Sequence, residues 1–217
     1  MIKRAFDIIM STVFLILFLP IMLVISIAIS STMGMPVIFR QQRPGLQGRL
    51  FTIYKFRSMR NEYDSNGEPL PESERLTQVG RFINSTRLDE LPEFFNVIKG
   101  DMSIVGPRPL LPVHLEYYTP EQARRHDVKP GITGLAQVSR WRHMPISKKL
   151  ELDTQYVDNQ SLWLDFKIMM ATIPKVIGCR GVDPYPSAEV IDDLGITREG
   201  RLRLQGQKGG SRPDDEA

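Results

Sequence analysis

Between Ile8 and Phe39 the chain carries no charged side chain, and nothing else in it restricts the fold as strongly. The inner part of this run, IIMSTVFLILFLPIMLVISIAI, matches the ~20 apolar residues needed to cross a bilayer. The apolar region of a cleaved signal peptide is only ~7–15 residues and closes at a small-residue site. This run is longer and no such site ends it, so a retained membrane segment is expected. Lys3 and Arg4 precede it, and Arg40, Arg43, Arg49, Lys55 and Arg57 follow it. Positive flanks favour the cytoplasmic side, and one straight span cannot place both there. Pro20 lies near the middle, where proline removes a backbone hydrogen bond and clashes with the preceding turn. A helix that breaks at Pro20, dips into one leaflet and returns accounts for both features, with Ser11, Thr12 or neighbouring protein satisfying the freed carbonyls. A single-pass anchor with a tolerated kink accounts for the proline alone.

The remaining composition excludes several classes. A length of 217 residues suits one domain with its own core. Lys and Arg number 28 against 25 Asp and Glu, a net charge of +3, far from the lopsided balance of a nucleic-acid partner. The lone cysteine, Cys179, rules out a disulfide framework and a Cys-rich zinc site, and fits a reducing, cytosol-facing location. Mean hydropathy is only −0.20 because the apolar character is concentrated at the N-terminus.

Pro36 ends the apolar run, and VIFRQQRPGLQGRLFTIYKF then predicts two short strands about a turn at Pro44-Gly45 and Gly48, with Phe51, Ile53 and Phe56 alternating. Residues 60–78 are polar and contain Asn66-Gly67, Pro69 and Pro71, a long loop of the kind that is functional or disordered. In STRLDELPEFFNVIKGD, Leu88, Leu91, Phe95 and Ile98 recur at helical spacing and Gly100 supplies a C-terminal stop. A polar helix is expected around 119–127, and helices over 147–157 and 161–178. Pro130, Gly131 and Gly134 exclude a regular helix from KPGITGLAQV. The 161–178 helix carries an apolar face (Leu162, Phe166, Met169, Ile173, Val176, Ile177) with Trp163, Lys167 and Lys175 beside it. That face suits either a membrane interface or the core. From Arg198 onward the chain reads as a disordered tail.

Asp89-Glu90 is the most suggestive pair. If the apolar pattern that follows is a helix, Asp89 falls near its N-cap and Pro92 in its first turn, where N–H groups and the helix dipole favour negative charge and attract phosphates. A carboxylate kept ionised there can act as a nucleophile or a magnesium ligand, and it can equally be an ordinary helix cap. Arg108, between prolines in Gly106-Pro107-Arg108-Pro109, presents a guanidinium on a restricted backbone, suited to bidentate phosphate binding. Lys55, Arg57 and Arg87 add cations, each of which alone reads as a solvated charge or a lipid-headgroup contact. As a group just after a membrane segment they point to an anionic substrate at the membrane surface. His114, His126 and His143 lack metal-ligand spacing, and Gly131 to Gly134 reads as a turn or as backbone able to approach a nucleotide.

Taken in order after an apolar segment, FRQQRPGLQGRLFTIYKFRSM, RLDELPEFFNVIKGDMSIVGPRP and KPGITGLAQV closely resemble the bacterial sugar transferase superfamily, and in particular its small monotopic phosphoglycosyl transferases. The resemblance runs from about residue 1 to 178. It implies a mixed α/β, helix-dominated fold: a re-entrant membrane helix over 1–36 broken at Pro20, a cytosol-facing catalytic domain over 37–180 with a short β-hairpin and interfacial helices, and a C-terminal extension over 181–217. It also implies transfer of a sugar-1-phosphate from a UDP-sugar to undecaprenyl phosphate, releasing UMP. This would be the first membrane step in assembling a glycoprotein or surface-polysaccharide glycan. Asp89 would be the nucleophile of a covalent aspartyl-phosphosugar intermediate. Asp89 and Glu90 would lie at a required Mg²⁺, and Arg108, Lys55, Arg57 and Arg87 would bind substrate phosphates.

The implied setting is the cytoplasmic face of a bacterial inner membrane, with membrane lipid, UDP-sugar, undecaprenyl phosphate and downstream glycosyltransferases as partners. No nucleic-acid partner is expected. The chain departs from related sequences at two places: Leu19-Pro20 stands where Ser-Pro is frequent, and Asn84 where an Arg often precedes the nucleophile. An inactive membrane scaffold for glycan-assembly enzymes is the alternative. Such a scaffold would have no need of an intact Asp89-Glu90.

Overall fold

The computed structural model describes residues 2–64, 70–139 and 144–177. Helix α1 (Ile2–Met33) comes first. The antiparallel hairpin of β1 (Ile38–Pro44) and β2 (Leu50–Phe56) follows, in register from Ile38 opposite Phe56 to Pro44 opposite Leu50. Next are α2 (Glu72–Arg75), α3 (Gln78–Ser85), a 3₁₀ turn at Leu88–Glu90 and α4 (Glu93–Lys99). Strand β3 (Ser103–Val105) leads through 3₁₀ turns and α5 (Pro120–Ala123) to β4 (Gly131–Thr133). The described chain ends with α6 (Leu135–Val138), α7 (Ile146–Asp158) and α8 (Leu162–Ile177). Helices dominate and the sheets are small, as expected. The 181–217 extension lies outside the described residues.

The hairpin forms where the alternation placed it. Phe51 and Ile53 are buried on one face and Phe56, out of step with that alternation, on the other, and the turn closes with the Gly45 amide donating to the Arg49 carbonyl at 2.8 Å. Two apolar clusters hold the domain together. Phe51, Ile53, Val97, Met102, Val105, Tyr156 and Ile168 form the first. Met22, Ile25 and Ile29 of α1 with Phe56, Ile83 and Leu91 form the second. The helix expected to serve the membrane therefore contributes Met22, Ile25 and Ile29 to the core, while Ile9, Val13, Ile16, Leu17, Leu23, Val24 and Ile27 face outward.

Polar side chains fasten both ends of α1 to this same domain. Near its start Lys3 pairs with Asp165 (2.6 Å), Arg4 donates to the Val97 and Ile98 carbonyls, and buried Asp7 accepts from Ser103 Oγ (2.8 Å) and the Ile104 amide (3.2 Å). At its end the Arg57 guanidinium donates to the carbonyls of Met33, Gly34 and Met35. In between, Phe14 stacks on Phe94 at 5.2 Å.

Four expectations are corrected. The break at Pro20 is absent, for residues 2–33 are one helix running through it. A proline forfeits a single ladder bond, and an apolar surrounding penalises losing the others. On α4, Phe95 and Ile98 face outward (51 % and 36 % exposed) while Glu93, Asn96 and Val97 are buried. Asn96 decides this rotation: its side chain accepts from the Tyr54 amide (3.0 Å) and donates to the Thr52 carbonyl (2.7 Å), stitching α4 to β2. The apolar face of α8 is exposed at Leu162, Phe166, Ile173 and Val176, its inward side is Asp165 and Ile168, and of that face Met169 packs against the core, so the core alternative holds there and fails for the four exposed residues. Finally, Gly131 to Gly134 is neither a simple turn nor a loose loop. It is β4, paired in parallel with β3, and a side chain on Gly131 would meet the Gly106 amide at 2.1 Å. That close approach fixes where the following Pro-Arg-Pro loop emerges.

Candidate active site

Asp89 lies in the 3₁₀ turn Leu88–Glu90, three residues before Pro92, which caps α4. It is therefore not the N-cap of the long helix, as the periodicity implied. The turn begins at Arg87, which holds a left-handed conformation (φ 60°) unusual for a residue with a side chain. This twist turns both Asp89 and Glu90 inward, where they are 7 % and 8 % exposed.

Glu90 is the hub of the cations. Its Oε1 receives Lys55 Nζ from β2 at 3.1 Å, Arg108 Nη2 from the Pro-Arg-Pro loop at 2.5 Å, and Arg87 Nη1 at 3.4 Å. Lys55 also stands 3.1 Å from Glu93 Oε1 and 3.9 Å from Asp89 Oδ2. Asp89 Oδ1 is buried with no hydrogen-bond partner, which leaves one acidic oxygen of the cluster free.

The three carboxyls titrate apart. Burial, and then the charge of Glu90, push Asp89 up to about 6 against the pull of Lys55, Arg87 and Arg108. Burial acts on Glu90 in the same sense, but Arg108 and Lys55 outweigh it and hold that carboxyl well below the usual range. Burial and Glu90 push Glu93 up to about 7. Glu90 thus stays charged and spoken for, while Asp89 is costly to ionise and has an oxygen to spare.

Asp89, Glu90, Lys55, Arg87 and Arg108, all expected at a site, converge. Arg57 does not: it is 6 % exposed and occupied by the carbonyls at the end of α1, a helix cap rather than a phosphate ligand. It lies one residue past the end of β2, where strand alternation from Lys55 no longer sets its direction. Glu93 was missed, since a Glu in the first turn of a helix reads as routine. Arg43 was passed over as a flanking charge, yet its guanidinium reaches the Pro109 carbonyl at 3.4 Å.

A membrane-sized apolar helix thus stands beside a buried, cation-ringed acidic dyad. The bacterial sugar transferase family matches residues 1–179, and the chain belongs to it. The uncharacterized sugar transferase EpsL of Bacillus subtilis is 49 % identical over 181 residues, covering 83 % of this chain and 89 % of that one. The UDP-glucose:undecaprenyl-phosphate glucose-1-phosphate transferase of Klebsiella pneumoniae is 46 % identical, over 80 % of this chain. The undecaprenyl-phosphate galactose phosphotransferase of Salmonella typhimurium is 39 % identical, over 81 %. The match spans only 39 % and 40 % of those last two proteins.

Proposed function

We propose that this chain moves a sugar-1-phosphate from a UDP-sugar to undecaprenyl phosphate, releasing UMP, by way of a phosphosugar carried on Asp89. The observation that carries this reading is the buried, unpartnered Oδ1 of Asp89 beside a carboxylate that already gathers Lys55, Arg87 and Arg108. In the first step a carboxylate oxygen of Asp89 bonds to the β-phosphorus. The bond from that phosphorus to the bridging oxygen breaks, and UMP leaves with the electron pair. In the second step an oxygen of the lipid phosphate bonds to the same phosphorus and the Asp89 oxygen departs, restoring the carboxylate. Burial makes the Asp89 anion reactive. Arg108 and Lys55, held by Glu90, are preorganised against the charge that develops on the diphosphate.

The residues fit Mg²⁺. A hard cation takes one or two carboxylates plus substrate phosphates rather than an all-protein cage, and the free Asp89 Oδ1 with Glu90 beside it is such a donor set. Asp89 and Glu90 would hold the ion, which when bound supplies charge neutralisation to the diphosphate.

The anchors at both ends of α1 support a monotopic placement. Lys3 and Arg57 fasten opposite ends of the helix to one domain, which supports both ends lying at the cytoplasmic face of a bacterial inner membrane, the helix staying helical throughout but bending where Pro20 removes a ladder bond. Its outward apolar face, with those of α4 and α8, contacts lipid. There a lipid phosphate and a soluble nucleotide sugar can meet, and downstream glycosyltransferases can collect the product.

The test is UMP release by protein held in nanodiscs with Mg²⁺, undecaprenyl phosphate and a donor panel. UDP-glucose and UDP-galactose head the panel because relatives' names carry those sugars. Turnover that needs the lipid, together with one added phosphosugar mass on the lipid-free protein, is expected. Lipid-dependent turnover that persists in Asp89→Asn would refute the covalent route.

A further inference from the structure

The charges around Arg108 are lopsided. On the dyad side Asp89, Glu90 and Glu93 stand against Lys55, Arg87 and Arg108, three acids for three bases. On the other flank of the Pro-Arg-Pro loop the balance fails. Arg43 donates to Gln41 Oε1 and the Pro109 carbonyl, leaving its buried Nε without a partner. Arg125, 2 % exposed, donates to the Arg108 carbonyl at 2.6 Å and pairs with Asp153 at 2.7 Å.

Helix α7 adds one more cation. Its Ile146 and Leu150 pack with Leu110, two residues beyond Arg108. Lys149 lies one turn before Asp153 and so shares its face, toward the loop. The adjacent Lys148 points outward to Glu151 at 2.7 Å. Lys149 is half-buried; its amide donates to the Pro145 carbonyl at 3.1 Å, but its ammonium has no hydrogen bond or ion pair among the described residues. Burial, and then Arg108, press its ammonium toward the neutral form. Arg125 and Lys149 thus share one carboxylate, Asp153, which Arg125 already holds, and Arg43, within reach of Arg108 and Glu93, adds a fourth cation to the three acids of the dyad side. A buried surplus of positive charge is costly until an anion neutralises it.

We propose that Lys149, beside Arg108, is the subsite for the phosphate monoester that lies across the reacting phosphorus from Asp89. The inference rests on the transferase reading above. In an in-line displacement the attacking and leaving oxygens stand on opposite sides of phosphorus. The departing UMP and the arriving lipid phosphate both meet the side away from Asp89, so both require the same cationic wall in turn. No bond forms to Lys149, which holds the phosphate oxygens by charge and hydrogen bonds.

The experiment is calorimetric titration of the full chain in detergent with UMP, and separately with farnesyl phosphate as a short polyprenyl phosphate. Parent, Lys149→Met and Lys149→Arg are compared. Lys149→Met weakens binding roughly tenfold or more, as expected for a lost charge-assisted hydrogen bond, and Lys149→Arg recovers most of it. Weakening toward UMP, farnesyl phosphate or both supports the subsite and names its occupant. As a check that needs no substitution, UMP should shield Lys149 of the parent from amine acetylation, read by peptide mass spectrometry, while Lys148 stays reactive. Equal affinities for both ligands in parent and Lys149→Met, or acetylation of Lys149 indifferent to UMP, overturn the subsite even where the parent releases UMP from a donor. A parent that neither binds UMP nor releases it from any donor overturns the transferase reading as well.

Discussion

Asp89 is under two opposing pressures: the fold hides it from water, and cations nearby favour its charge. Burial wins, which lifts the carboxyl to about 6. Above that pH the group is an anion able to attack phosphorus. Below it a proton blocks the attack, so UMP release should fall about tenfold per unit as pH drops through about 6. Added Mg²⁺, favouring the anion, should move the limb downward, and a rate flat to pH 4.5 would count against Asp89. Glu93 offers a stability test instead. Its folded carboxyl sits near 7, above its ordinary 4.5. A raised carboxyl binds its proton more tightly folded than unfolded, so its contribution is lost as pH rises through that window. Relative to Glu93→Gln, the parent's Tm should decline between pH 4.5 and 7, and parallel Tm curves would refute this. Asp89, Glu90 and Arg108 were legible because motif order singled them out. Glu93 and Lys149 were not, because their meaning lies in what they face across chain segments, which spacing along one helix does not encode.

Among the elements, α3 and the end of α1 give the clearest tests. Thr77 caps α3 by accepting from the Gly80 amide at 2.9 Å, and a Cβ on Gly80 would lie 1.7 Å from the Ser58 carbonyl oxygen. Gly80→Ala should cost about 2–4 kcal/mol, since backbone must move to admit it, and denaturant titration reads this directly. Arg57→Ala strips three carbonyls of their donor and should cost about 1–3 kcal/mol. It should leave the donor KM unchanged where Arg108→Ala raises it, and a raised KM in Arg57→Ala would restore Arg57 to the phosphate site. Hairpin and helix positions were readable from periodicity. The rotation of α4 was not: apolar spacing chose Phe95 and Ile98, whereas two hydrogen bonds of Asn96 chose the opposite side. The parallel β3–β4 pair, three residues a strand, is too short to leave a periodic trace.

For the whole molecule, attachment of both ends of α1 to one domain makes sidedness measurable. In a Cys179→Ser background, Ile2→Cys and Met35→Cys should react with an impermeant maleimide only in membranes that expose the cytoplasmic face. Reaction of the two positions from opposite faces would show a spanning helix. The apolar run announced a membrane segment in the sequence, while its docking through Asp7, Lys3 and Arg57 is long-range and had no local sign.

That docking also orders events in time. Lys3 precedes its partner Asp165 by 162 positions, and ribosomes add ~5–20 residues per second, so roughly 8–32 s separate the two during synthesis. Throughout that interval the greasy helix lacks this clasp, although the partners of Arg4 and Asp7 and the Arg57 cap are made earlier. The nascent chain must therefore keep α1 sheltered, by bilayer or chaperone, before the protein has finished building the surface that α1 will rest upon.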